Sequence, residues 1–464
     1  MIALIEFVFV LAWNPGLRRV AQRVLLSALN AALLSGVPLH AFAQQSEKDD
    51  ADRTIAINSA LNHDLLDHNY NLRKVDILLD ARSSDRMDSG HLFFGASLIG
   101  IMDFQRSNRN SKFSYLMRHP TPNNQIGKSA SEAVLHSAQL MVAGSVLDWL
   151  TVYSEVLYDP EQSFGAGTIT TLTRNQLQLR KGYLLLGNLS RFPLYGALGK
   201  MDVNFGETGS VSPFTNSTMW HAFGGLGYGA LAGMTIGGLN ASFTAVQGGA
   251  QFRSLNVPVD STIVPSRLNN FVADANYTVT AGESGAFKLG ASYVRGTSYC
   301  QGFPVVHFEP CDKSNPAATA YADLRAFDRI LVKAAYARTR DVWPGTFNPN
   351  PPLNEFAASN VSSLSLGASI AVRETDLVRL AISGEFSNFV AGPEGAPWER
   401  QDQWVAGLCA TLKSSSRLFL EAFRTTGYAP LNFVSGGNLP DPGATHSDAG
   451  ARSFGIVLGA QVTL

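Results

Sequence analysis

From His91 to its C-terminus this 464-residue chain alternates apolar and polar residues with a period of two, and no other property restricts its fold as strongly. Between Leu268 and Thr280, Phe271, Ala273, Ala275, Tyr277 and Val279 share one side, while Asn270, Asp274, Asn276 and Thr278 share the other. Phe287, Leu289, Ala291 and Tyr293 oppose Lys288, Gly290 and Ser292. Leu364, Leu366, Ala368, Ile370 and Val372 oppose Ser363, Ser365, Gly367, Ser369 and Arg373, and Val378, Leu380, Ile382 and Phe386 oppose Arg379, Ser383, Glu385 and Ser387. A strand sends successive side chains to opposite faces, so each segment has one greasy and one wet face. Soluble antiparallel sheets share that pattern. These segments, however, run about as long as the 9–11 residues that a tilted membrane-spanning strand requires. Tyr277, Tyr293, Tyr336 and Phe386 lie near the ends of apolar faces, where interfacial girdles place aromatics.

The links between segments give a second constraint. Short ones fall at 144–147, 187–193, 237–238, 281–285, 326–328, 374–376 and 413–416. Long ones fall at 105–132, 159–173, 204–219, 248–267, 296–317, 341–360, 390–401 and 429–449. Strict alternation of short and long links predicts an all-β fold, a transmembrane antiparallel up-and-down β-barrel of about 16 strands over residues 91–464. Short turns belong on the periplasmic side, which puts both ends of the barrel there. Residues 220–236 read as a glycine-rich strand with room for a bend. Phe454, Ile456, Leu458, Ala460, Val462 and Leu464 alternate to the last residue, as in the terminal strand signal used by barrel-assembly machinery, although Leu464 stands where an aromatic is usual.

Composition agrees. Charged residues are 16% of the chain, below the roughly 25% of soluble domains. Past the N-terminus no apolar run reaches the ~18 residues of a spanning helix. A net charge of −1 and the lack of any basic stretch interleaved with aromatics give no case for nucleic acid. Arg18, Arg19 and Arg23 precede the apolar stretch Val24 to Val37, and Ala41-Phe42-Ala43 supplies small residues at a cleavage site. The expectation is a signal peptide over 1–43, cut between Ala43 and Gln44; the alternative is an N-terminal anchor. Residues 44–90 then form a periplasmic segment, helical or acting as a plug, with Leu61, Leu65, Leu66, Leu72, Val75, Leu78 and Leu79 at helix-like spacing. Export permits a loop-stapling disulfide between Cys300 and Cys311, with two unpaired thiols as the alternative. Cys409, inside an apolar strand, reads as packing.

No nucleophile elbow, metalloprotease His-Glu pair or P-loop is present, so no catalytic residue, cofactor or metal is expected. Gly227-Tyr228-Gly229-Ala230-Leu231-Ala232 fits a relaxed dinucleotide fingerprint, but no helix and no ribose-binding acid follow it. His63 and His68 beside Asp64 and Asp67 lack recognised ligand spacing and read as solvated polar residues. The wet faces are more telling. Alternation turns Lys200, Lys288, Arg325, Lys333, Arg373 and Arg379 inward, with Asp103, Glu155, Asp274, Asp323, Glu385 and Glu421, because a Lys or Arg facing lipid at the midplane costs about 2–4 kcal/mol. Charges across a lumen set what passes; here the two signs balance, and mutual pairing is the plainer reading for any one of them. Of the proline-rich loops at 296–317 and 341–360, one is a candidate to fold inward and narrow the bore or cap a solute site, and a surface loop without such a role is the alternative.

Tyr183-Leu-Leu-Leu-Gly-Asn-Leu189, Phe192-Pro-Leu-Tyr195, Leu198-Gly-Lys200, Phe205-Gly206 and Ser212-Pro-Phe-Thr215 resemble the outer-membrane siderophore porin family of the legiobactin-uptake type. The resemblance implies passive uptake of ferric siderophores without a TonB plug domain, and transfers no binding residue. The expectation is therefore a non-enzymatic Gram-negative outer-membrane porin for small polar solutes, with ferric siderophore as its sharper cargo. Its partners are outer-membrane lipids and the export and barrel-assembly machinery, and oligomers are compatible with it. The alternatives are a general or phosphate/carboxylate-selective porin, or a non-conducting barrel serving as adhesin, anchor or lipid-modifying enzyme.

Overall fold

The computed structural model describes residues 55–67, 69, 73–110, 112, 127–158, 177–247, 268–282, 284–300, 313–346, 353–396, 399–413, 415–428 and 447–464. Residues 1–53, which include the Ala43/Gln44 junction, and Cys311 and His68 lie outside them.

A two-residue strand β1 (Ile55–Ala56) comes first, then sixteen barrel strands. These are β2 (His91–Ser107), β3 (Ser129–Leu147), β4 (Leu150–Tyr158), β5 (Leu177–Leu186), β6 (Leu194–Asp202), β7 (Leu226–Ile236), β8 (Leu239–Gln247) and β9 (Leu268–Thr280). The second half comprises β10 (Ala286–Val294), β11 (Ala317–Ala326), β12 (Ile330–Thr339), β13 (Ser362–Glu374), β14 (Val378–Val390), β15 (Arg400–Leu412), β16 (Ser416–Tyr428) and β17 (Asp448–Thr463). Each pairs antiparallel with its sequence neighbours, and β17 pairs antiparallel with β2, so the sheet closes and has no free edge. Leu464 exchanges backbone hydrogen bonds with Ala96, and β1 pairs with Leu92 and Phe93 just beyond. The C-terminus and β1 thus occupy successive stretches of one edge of β2.

The alternation read from the sequence becomes two faces. Outward ranks run strand to strand through aliphatics: Met102 pairs with Leu458, Leu458 with Leu420, Leu420 with Leu408, Leu408 with Ile382, and Ile382 with Ile370. Leu98, Leu140, Leu198, Phe243, Leu289 and Trp404 are likewise exposed on the outside. A belt of large exposed apolar side chains around a closed sheet is a surface that meets lipid, and the protein is a transmembrane barrel. Tyr277, Tyr293 and Tyr336 are exposed in this belt, and Phe386 packs on Trp404 at 4.7 Å.

One end of the barrel carries the tight links, such as Gly237–Gly238, where both residues have positive φ (56° and 88°) as a two-residue hairpin of the primed type requires. The other end carries the long links. One of these turns into the barrel: after β6, residues 203–225 fold inside and include helix α3 (Thr218–Phe223), whose cap is the Ser217 side chain accepting from Trp220 N at 3.1 Å. The strand expected over 220–236 therefore begins only at Leu226. Residues 218–223 become helical because the Ser217 cap starts a turn whose apolar Met219, Ala222 and Phe223 are buried by the surrounding wall.

The N-terminal segment fills the opposite half. Helices α1 (Ser59–Leu66) and α2 (Lys74–Ser83) lie within the barrel, α1 capped by Asn58, whose side chain accepts from Leu61 N at 3.0 Å. Leu61, Leu65, Leu66, Val75, Leu78 and Leu79 pack against inward-facing Phe93, Met141, Tyr153, Tyr183, Leu185 and Tyr195. The inner faces of β2–β7 are consequently apolar where they meet the helices, at roughly 1.5–3 kcal/mol per large side chain buried.

Candidate functional site

What remains of the bore is set by two internal elements and the wall they lean on. The inward segment departs at Gly206 (φ 72°), whose backbone N donates to Ser292 Oγ at 2.9 Å; a Cβ here would stand 2.9 Å from Thr319 Cγ2. Farther on it is held by carboxylates. Glu385 accepts from Val211 N at 2.8 Å, and Glu421 accepts from Phe214 N at 2.6 Å and Thr215 N at 2.9 Å. Ser387 Oγ accepts from Thr218 N, and Gln403 donates to Asn216 O, both at 3.0 Å. Phe214 stacks on Phe419 with ring centres 5.3 Å apart. Val211 comes so near β13 that a Cβ on Gly367 would meet it at 2.6 Å, so this rank of the wall is glycine.

Of the proline-rich loops, residues 301–312 and 347–352 lie outside the described residues. Their described parts close over α3: Tyr299 donates to Ala222 O at 2.8 Å and packs against Phe223 and Trp343, while Asn315 donates to Tyr299 O and Asp341 O. The segment that enters the bore is 203–225. It is short of proline and rich in Ser, Thr and Gly, whose hydroxyls and bare backbone suit a polar wall better than a proline-rich strap would.

Ion pairs tie the N-terminal helices to the wall. Arg73 meets Asp274 of β9 at 2.9 Å and also donates to Gly206 O and Tyr321 Oη. Arg417 of β16 meets Asp67 at 2.6 Å and lies 2.9 Å from His63 Nε2. Asn62 donates to Phe94 O and Leu464 O, Asn69 to Ser212 O, and Arg82 to Leu147 O. His63 and Asp67 are thus part of an internal latch with Arg417, neither solvated nor arranged as metal ligands, and no metal-binding cluster occurs among the described residues. Burial, reinforced by the Arg417 charge, pushes the His63 imidazole down to about 4. Burial likewise lowers the Lys74 ammonium to about 8, helped by Lys181.

Between α2, the inward segment and strands β10–β12 lies a cavity of about 480 Å³. Asp64, Asp76, Asp80, Glu207 and Asp323 supply carboxylates to it, and Arg73, Arg86, Lys288, Arg325 and Lys333 supply cations. On the wall the order is fixed by register: Lys288 pairs across the ladder with Asp323, and Asp323 with Lys333. Exposed Asp80 and half-exposed Arg86 mark its solvent side; buried Glu207 and Lys333, bridged at 3.3 Å, mark its floor. Burial alone would raise the Glu207 carboxyl, but Lys333, Lys288 and Arg73 outweigh it and hold the group down to about 2. Asp76 is raised instead, because burial exceeds the pull of Arg73 and Lys288.

Of the wall charges read from sequence, Asp274, Lys288, Asp323, Arg325 and Lys333 face this interior. Glu385 and Glu421 also point inward but lie beneath the inward segment, anchoring its backbone rather than lining water. Arg379 reaches only the short-turn rim, beside Glu374 at 3.4 Å and donating to Asp328 O. Two assignments are corrected. Lys200 shares its rank with Gly182 and the outward-facing Tyr228, because it follows outward Leu198 by two residues. Its Nζ folds back to Leu179 O at 2.9 Å, keeping the charge off lipid. Arg373 is displaced by the irregularity between Ala371 and Arg373, which sets it opposite outward Leu380. A bulge adds one residue and shifts every later side chain to the other face.

Sequence reasoning passed over Arg180, Lys181 and Arg417, and the charges of α2 and the inward segment. Strict alternation would have found Arg417, two residues from inward Phe419. It would not have found Arg180, because a register shift after Glu155 leaves both Arg180 and Lys181 reaching Glu155, at 3.6 and 3.7 Å. Cys300 is disulfide-bonded and Cys409 is free. With Cys311 outside the described residues, the Cys300–Cys311 pairing stands as a proposal.

No protein-family model and no curated protein matches the sequence. Among solved structures the chain is similar to the outer membrane channel DcaP of Acinetobacter baumannii, with 12% identity and a TM-score of 0.48, covering 81% of this chain and 97% of that one. It is similar to an anion-selective porin from Comamonas acidovorans, with 12% identity, a TM-score of 0.47 and coverage of 80% and 99%. It is similar also to OprB of Pseudomonas putida, with 8% identity, a TM-score of 0.48 and coverage of 80% and 94%.

Proposed function

We propose that this protein is a passive outer-membrane channel for small polar solutes, exported with a signal peptide that ends at Ala43. The observation that carries the reading is the charged cavity. Five carboxylates and five cations converge on about 480 Å³ inside a lipid-facing barrel. Stability does not account for them, since replacing buried ion pairs by well-packed apolar residues is often neutral or stabilising. Charges along an aqueous path do account for them, because they offer a solute partners in exchange for its hydration. Release of labelled arabinose from liposomes holding the purified, folded protein tests this. Release well above that of protein-free liposomes is expected; identical rates would contradict a channel.

Ferric siderophore is the sharper cargo. The residues that resemble the siderophore porin family lie in β5, in β6 and in the inward segment, whose Ser212–Thr215 stretch Glu421 pins. Part of the resemblance, at Phe205-Gly206 and Ser212–Thr215, therefore falls on the segment that narrows the bore. Cells with the gene should take up labelled ferric chelate faster than cells without it, and equal uptake would remove this cargo while leaving the channel.

A further inference from the structure

The arrangement of charges in the cavity, beyond their number, says what kind of solute fits. Most lining groups already have a partner: Arg73 is held by Asp274 and meets Asp76 Oδ2 at 3.6 Å, Arg86 is held by Asp64 and Asp80, and Lys333 by Glu207. Lys288 and Arg325, both on the wall, make no salt bridge among the described residues. On the acid side, Asp76 Oδ1 on α2 and Asp323 Oδ1 on β11 are buried without a hydrogen-bond partner. Two cations outside any salt bridge thus share one half-open space with two carboxylate oxygens that accept no hydrogen bond. A solute of one sign would be attracted at one place and repelled at the other. A solute carrying both signs a few ångströms apart meets a complement for each.

Resting on the channel reading above, we propose that this cavity is a binding site for zwitterionic solutes of the amino-acid and short-peptide class. The carboxylate of the solute is received by Lys288 and Arg325, and its ammonium by Asp76 and Asp323. The cavity lies within the range of roughly 300–1,000 Å³ that suits small-molecule sites. Buried polar atoms left unpaired penalise any occupant that lacks the matching group, so a singly charged analogue of the same size is rejected.

Three labelled solutes of nearly equal size test this in liposomes containing the intact protein: alanylglycine, its N-acetyl derivative and its C-terminal amide, with arabinose as the uncharged reference. Alanylglycine should leave roughly tenfold faster than either blocked form. In a Lys288→Gln/Arg325→Gln variant its advantage over the amide should vanish, and in an Asp76→Asn/Asp323→Asn variant its advantage over the N-acetyl form should vanish. If arabinose is released but the three peptides leave at equal rates, or a blocked form leaves fastest, the zwitterion site is overturned and the channel stands. If nothing is released, both fall. The comparison of the three peptides on unaltered protein decides the matter even where a variant does not fold.

Discussion

Arg73 binds three parts of the molecule at one point: it begins α2, pairs with Asp274 on the wall, and donates to Gly206 O at the bend of the inward segment. The Asp274 side chain is 2% exposed, so truncating Arg73 leaves a buried carboxylate with neutral donors only, from Tyr321, Ser292 and Asn276, and no counter-charge. Arg73→Ala should destabilise the folded protein by about 3–5 kcal/mol, read as a lower denaturant midpoint, whereas Asp274→Asn in the same background should recover part of that loss. His63 supplies the pH dependence. Its proton affinity is lower in the folded protein, at about 4, than its ordinary value of 6.5. Between those values the released segment binds a proton that the docked one does not, so docking weakens as pH falls from 6.5 through 4. Protease cleavage within residues 55–90 should therefore accelerate over that window, and His63→Gln should flatten the profile; a pH-independent rate would contradict the latch. At this scale alternation was a good guide to which face a charge occupies, and it failed at identifiable places. Arg373 and Arg180 sit at register irregularities that a period-two count cannot register, because one inserted residue leaves the local composition unchanged.

The elements were legible to different degrees. Barrel strands announced themselves because each must be apolar on lipid and polar within, and tight links such as Gly237–Gly238 carry residues that positive φ demands. The apolar spacing of α1 was also visible, but not what covers it, because Tyr153, Tyr183 and Leu185 look like any strand residues until the helices lie against them. Least legible was the inward segment. Residues 203–225 have the composition of a surface loop, and what turns them inward is a set of distant acceptors, Glu385 and Glu421, more than 170 positions away. Those two carboxylates make a prediction about the element. Glu421→Ala leaves Phe214 N and Thr215 N without acceptors, at a cost of about 1–3 kcal/mol. The segment should loosen while the barrel persists, giving a larger and noisier single-channel current with unchanged heat-modifiable migration on gels. An unchanged current would show that Glu421 does not hold the constriction.

The whole molecule is a closed lipid-facing barrel whose inside is occupied from both ends. Helices α1 and α2 fill the side near β2–β7 with an apolar cluster, and α3 with the inward segment fills the region around Tyr299 and Phe389. The charged cavity lies where neither cluster reaches. The N-terminal helices are therefore expected to limit passage, since they contribute Asp64, Arg73, Asp76 and Asp80 to the cavity wall. Single-channel conductance in planar bilayers, recorded for the intact protein and for a form lacking residues 55–90, tests this claim most directly. Discrete small steps from the intact protein, and steps at least about twofold larger once the helices are gone, are the predicted result. No steps from correctly folded intact protein, or steps of the same size in both, would contradict it.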